Sequence, residues 1–198
     1  METIGDAWVP RLKELYSRMD DTYSALAALV DFTCLGCDGS KCCEVDLKVH
    51  TFVESLYLRR GFYLLDVSLQ HEIVNRCHRV LNAKQVDPLG EEYRSSVCVL
   101  NVEGLCSVYQ YRPMICRLAG IKHYFIKPDG TKISGRGCSV YENTIAQQFP
   151  ESRIDRTEFY KDMTRIEIEI ITELGRRPDS LTVAEILCPK GPNDNHIR

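Results

Sequence analysis

Four cysteines crowd into ten residues, Cys34-Leu35-Gly36-Cys37-Asp38-Gly39-Ser40-Lys41-Cys42-Cys43, and no other feature of the chain restricts its local fold so tightly. A C-x-x-C turn sets two thiolates on one side of a tight loop, which is how structural zinc and iron–sulfur sites obtain half of their ligands. Gly36 and Gly39 suit a backbone wrapped around a metal, which often needs positive φ. The adjacent pair Cys42-Cys43 narrows the chemistry. Successive side chains of extended backbone point to opposite faces, so both thiolates reach one mononuclear ion only if the chain turns sharply there. Two neighbouring centres, or one polynuclear cluster, use the pair more naturally.

A second set follows at wider spacing: Cys98, Cys106, Cys116 and Cys138. Arg112-Pro113-Met114-Ile115-Cys116-Arg117 reads as an extended residue before proline, then a helix with Pro113 at its first position. Cys116 then falls in the first turn, where the positive end of the helix dipole favours a ligating thiolate. The competing reading is four core cysteines, because a reduced cysteine packs well as a small hydrophobe. Lys41, Arg112, Arg117 and Arg136 neighbour the cysteines and are either charge compensation for an anionic site or solvated surface charges. Cys77 lies on the apolar face of a helix and reads as a packing residue. Cys188 has no nearby ligand partner in sequence. His123 alternates with the apolar Ile121 and Phe125 and reads as a face residue of a hairpin rather than a ligand.

Composition decides what these thiols are for. The chain has 198 residues, 44% of them apolar, enough to close a core without metal staples. One domain over residues 1–188 is expected, with 189–198, rich in Pro, Gly and Asn, as a flexible tail. The net charge is −3 with both signs mixed along the chain, which predicts neither a nucleic-acid nor a membrane partner. The N-terminal residues lack the basic start and apolar run of a signal peptide, so the expectation is a cytoplasmic protein. A reducing compartment keeps thiols reduced, and ten cysteines there point to metal or redox chemistry rather than a disulfide framework.

The secondary structure expected is mainly helical. Val9, Leu12, Leu15, Tyr16, Met19, Tyr23, Leu26 and Val30 recur at helical spacing over 8–30. Thr51-Phe52-Val53-Glu54 is a capping box for a second helix that stops near Gly61, and Ser68 caps a third with Leu69, Ile73, Cys77, Val80 and Leu81 inward. Ile121, His123 and Phe125, then Pro128-Asp129-Gly130 and Thr131-Lys132-Ile133, predict a short β-hairpin. Helices follow over 139–148 and on a face of Tyr160, Met163, Ile166, Ile170, Ile171 and Leu174 that ends at Gly175, and Thr182 caps a last one with Glu185. The fold class is thus mainly α: one helical domain around an irregular cysteine-rich centre (32–138), flanked by helices at 8–30 and over 139–188.

The motifs together resemble the YkgJ-like cysteine-cluster family, whose members are described as zinc- or iron-chelating proteins. The matching elements are Phe32-Thr33-Cys34-Leu35-Gly36-Cys37 with Cys42-Cys43, Cys98, Gly104-Leu105-Cys106-Ser107-Val108-Tyr109, Arg112-Pro113-Met114-Ile115-Cys116-Arg117 and Gly137-Cys138. Two departures alter loop geometry more than ligand count. Asp38-Gly39-Ser40-Lys41 is longer than the family's usual spacing, and Val99 stands where a proline is usual. The resemblance implies eight metal ligands: Cys34, Cys37, Cys42, Cys43, Cys98, Cys106, Cys116 and Cys138. The function expected is a cysteine-ligated iron–sulfur (4Fe-4S) protein, with or without a second metal site, in a redox or metal-handling role. The alternatives are a structural zinc protein that binds a protein partner, and a cluster-dependent enzyme similar to part of flagellin lysine methylases. Soft thiolates accept zinc and iron alike, so only Cys42-Cys43 favours iron–sulfur. Without a Gly-rich cofactor loop or a nucleophile beside a base, no catalytic residue is assigned.

Overall fold

The structure, a computed structural model, describes residues 5–33, 49, 51–90, 93, 97–175 and 180–188. Its elements in chain order are α1 (Trp8–Leu29), α2 (Phe52–Tyr63), α3 (Val67–Val86), β1 (Asn101–Val102), β2 (Leu105–Cys106), α4 (Met114–Arg117), β3 (His123–Ile126), β4 (Lys132–Gly135), α5 (Ala146–Gln148), β5 (Ile154–Asp155), α6 (Thr157–Leu174) and α7 (Val183–Leu187). A 3-10 turn, Tyr109–Tyr111, precedes α4, and a π-helical segment, Tyr141–Ile145, leads into α5. The chain is mainly α, with the short β-hairpin its sequence predicts. It divides into two compact units interleaved in sequence: Cys43–Pro113 with Ile171–Arg198 and Met1–Ile4, and Gly5–Cys42 with Met114–Ile170.

The first unit is built on α2, α3 and α7. Leu58, Phe62, Ile73, Cys77, Val99, Leu100, Val108, Val183, Ala184, Ile186 and Leu187 form its buried apolar cluster. Thr51 caps α2 by accepting the Glu54 N–H at 3.3 Å, as its sequence predicts. The helix runs to Tyr63 rather than stopping near Gly61, because Gly61 adopts ordinary helical backbone. That glycine serves packing: a Cβ there would lie 2.4 Å from Cγ of Tyr111. Helix α3 begins two residues earlier than expected, at Val67, with Asp66 rather than Ser68 in the N-cap position. Thr182 and Glu185 complete the predicted capping box of α7.

The second unit joins α1 to α4, the sheet and the greater part of α6. Leu12, Leu15 and Met19 of α1 are buried, as are Leu118, Ile121, Tyr141, Ile154, Met163 and Ile166. Ion pairs Arg11–Glu169 and Arg18–Asp162 tie α1 to α6. Strand β3 pairs antiparallel with β4, Phe125 opposite Ile133, around a turn in which Gly130 has φ 83°. The sequence does not announce β5, which pairs parallel on the other edge of β3, His123 opposite Ile154. Gly175, with φ 66°, ends α6 where expected.

Candidate metal centre

Helix α1 ends at Leu29, five positions before Cys34 in sequence, in a defined turn. Asp31 takes φ 51°, its N–H donates to the Ala28 carbonyl at 3.4 Å, and the Phe32 N–H donates to the Ala27 carbonyl at 2.8 Å. These two bonds are a Schellman ending, with aspartate in the left-handed position that glycine usually fills. The turn delivers the buried Phe32 onto the Tyr141 ring, edge to face at a centroid distance of 5.2 Å. Phe32 also crowds Gly120, whose φ is 96° and where a Cβ would lie 3.4 Å from its ring. Cys34, Cys37, Cys42 and Cys43 themselves lie outside the described residues.

Cys138 sits beside that aromatic pair. Its N–H donates to the Gly120 carbonyl at 2.9 Å, its carbonyl accepts the Glu142 N–H at 2.9 Å, and its Sγ accepts the Tyr141 N–H at 3.4 Å. The sulfur thus caps the start of the segment that becomes π-helical at Tyr141, a distortion found often at functional sites. The Gly137 N–H donates to Glu142 Oε1 at 2.6 Å and holds the approach to the cysteine.

Cys116 is half-buried in α4. The helix-dipole expectation for it is corrected here. Helix α4 has four residues, and a single turn aligns too few peptide dipoles to act as a charged end. What fixes the segment is the next residue. Arg117 is 4% exposed, its guanidinium lies 4.0 Å from the Tyr16 ring centroid, and its Nη1 is 2.5 Å from Asp20 Oδ2. Its charge is therefore met by a carboxylate and a ring face of α1. Arg136 is exposed, with its Nε 3.7 Å from Glu142 Oε2, and Arg112 stacks over Tyr109 at 3.6 Å. Lys41 lies outside the described residues.

In the first unit, Cys98 and Cys106 flank one hairpin. The Asn101 N–H donates to the Cys98 carbonyl at 2.9 Å, and Asn101 pairs across the strands with Cys106. Glu103 and Gly104 make the turn, both at positive φ, 51° and 86°. Cys98 and Cys106 pack half-buried against the apolar cluster.

Cys77 is the contrast that defines the others. It is fully buried in α3, and burial, with Cys188 and Cys98 nearby, pushes its thiol up to about 12. It is the packing residue expected. Cys188 caps α7 and its Sγ lies 3.4 Å from Nδ1 and 3.5 Å from Nε2 of His78, a contact that no sequence spacing signals. Cys77, Cys98, Cys106, Cys116, Cys138 and Cys188 are reduced thiols. Soft, half-buried sulfurs are donors of the right kind for zinc or an iron–sulfur cluster. Among the described residues, however, no three His, Cys, Asp or Glu side chains group as a metal site. Also among them, no helix is long and apolar enough to cross a membrane. No protein-family model, no curated protein and no solved structure matches the chain.

Proposed function

We propose that the chain is a metal-binding protein in which Cys34, Cys37, Cys42, Cys43, Cys98, Cys106, Cys116 and Cys138 supply the thiolates of an iron–sulfur cluster and of a second cysteine site. The observation that carries this reading is the Phe32–Tyr141 contact. It holds the chain two residues before Cys34 against the residue whose N–H donates to Cys138 Sγ. The contact sets Phe32, two positions before Cys34 in sequence, beside Cys138 within this unit. A second support is position. Cys98, Cys106, Cys116 and Cys138 are half-buried at turns, strand ends and caps, unlike the core residue Cys77.

Such a cluster supplies electron transfer or holds iron for transfer. The protein's own part is to place the sulfurs: the Asp31 turn, the Cys138 cap and the Arg117–Asp20 anchor act on backbone next to the ligands. Anaerobically purified protein is expected to contain iron and inorganic sulfide, with a broad visible absorption that bleaches on reduction. Cys42→Ser and Cys43→Ser are each expected to lower the iron content. Stoichiometric zinc without sulfide in anaerobic material would replace this reading with a structural zinc site that holds a protein-binding scaffold.

A further inference from the structure

Arg156 is 2% exposed and has no carboxylate partner among the described residues. Its guanidinium donates to the Leu118 carbonyl and to the Tyr160 hydroxyl, neither of which carries compensating charge. Among the described residues its Nε has no hydrogen-bond partner. The same is true of a second buried nitrogen, Nδ1 of His123. Register places the two side chains together. His123 pairs with Ile154 and Tyr124 with Asp155, and the Arg156 N–H continues the ladder by donating to the Tyr124 carbonyl at 2.8 Å. Alternation along a strand then sets Ile154 and Arg156 on the face of β3 that carries His123 and Phe125. The imidazole lies against Gly135, where a Cβ would come within 2.2 Å of its Cε1, so only glycine lets it rest there.

We propose that this face of β3 and β5 binds a small oxyanion, a carboxylate or phosphate group, between Arg156 and His123. An unpaired buried guanidinium is strongly unfavourable, and the groups that now meet it offer dipoles only. An oxyanion supplies the missing charge and takes a charge-assisted bond from the Nε–H. The imidazole gives it a second donor when its proton is on Nδ1. A bridging water would satisfy both nitrogens but leave the charge unmet, which decides between the two occupants. Burial and the Arg156 charge push His123 down to about 4, against a weaker opposing effect of the Ile121 backbone, so the ring is neutral until an anion arrives. Phe125 shares the face with His123, and its ring lies 4.6 Å from that of Tyr160, both half-buried. The site is independent of the metal reading.

The test is a titration of the purified full-length protein with inorganic phosphate and with acetate, each against chloride at equal ionic strength. The readouts are the melting temperature and the imidazole NMR signals, with His123→Gln assigning the signal of His123. One of the two oxyanions is expected to give a saturable rise in melting temperature and to move the His123 titration upward, and which one responds identifies the group. Arg156→Lys and His123→Gln are each expected to weaken binding about tenfold or more, the worth of one charge-assisted bond. His123→Gln leaves the buried guanidinium in place and carries the test if Arg156→Lys does not fold. No saturable response, a response matched by chloride, or unchanged binding in folded His123→Gln would overturn the proposal.

Discussion

At the scale of single residues, two side chains make measurable commitments. Asp31 holds φ 51° at the end of α1, where an L residue is strained by roughly 1–2 kcal/mol and glycine is not. Asp31→Gly is therefore expected to raise stability by up to about 1 kcal/mol in a urea melt, the gain being reduced by glycine's greater freedom in the unfolded chain. A fall would show that the aspartate side chain does more than occupy the turn. His123 sets a pH dependence. Its folded value, about 4, lies below the ordinary histidine value, so the unfolded chain binds the extra proton first as pH falls. Stability from this group is intact above about 6.5 and declines from there toward pH 4. His123→Gln should flatten that part of a stability profile, and an unchanged slope would place the titration elsewhere.

At the scale of elements, Gly61 tests packing against propensity. Alanine favours a helix interior by about 1 kcal/mol, but its Cβ would meet the root of the Tyr111 side chain at 2.4–2.5 Å. Tyr111 is itself stacked on Tyr57 with centroids 4.9 Å apart, so it has little freedom to yield. Overpacking of this kind costs about 1–3 kcal/mol, and Gly61→Ala is expected to be net destabilising by denaturant titration. The same balance explains what could be read in advance. The stripes of α1 and α6, the Thr51 and Thr182 caps and the Pro128-Asp129-Gly130 turn are local signals, and each produced its element. Strand β5 was illegible because two residues, Ile154 and Asp155, pair with a strand 31 positions earlier and carry no alternating run of their own. The candidate centre divides along the same line. Cysteine spacing named its residues, and Cys77 was separable by its place on an apolar helix face. The Cys188–His78 contact spans 110 positions, and the Arg156–His123 face depends on parallel register, so neither has a local signature.

At the scale of the whole molecule, removal of the proposed metal should act unevenly. Cys98, Cys106, Cys116 and Cys138 sit at or beside two-residue strands, a one-turn helix and a cap, whereas α1 and α6 carry long buried stripes and two ion pairs between them. Hydrogen exchange on metal-free protein is expected to show lost protection mainly over 34–138, with α1 and α6 retaining more of theirs. Uniform loss would mean that the centre supports the entire fold. Chain order adds a further demand, on synthesis. Helix α1 leaves the ribosome before α4, β3 and β5, which complete its unit and follow only after residues 43–113 of the other unit. At about 5–20 residues per second that is a wait of roughly 4–14 s. During it the apolar stripe of Leu12, Leu15 and Met19 has no native cover, and the nascent chain must keep it from a wrong partner until the second half arrives.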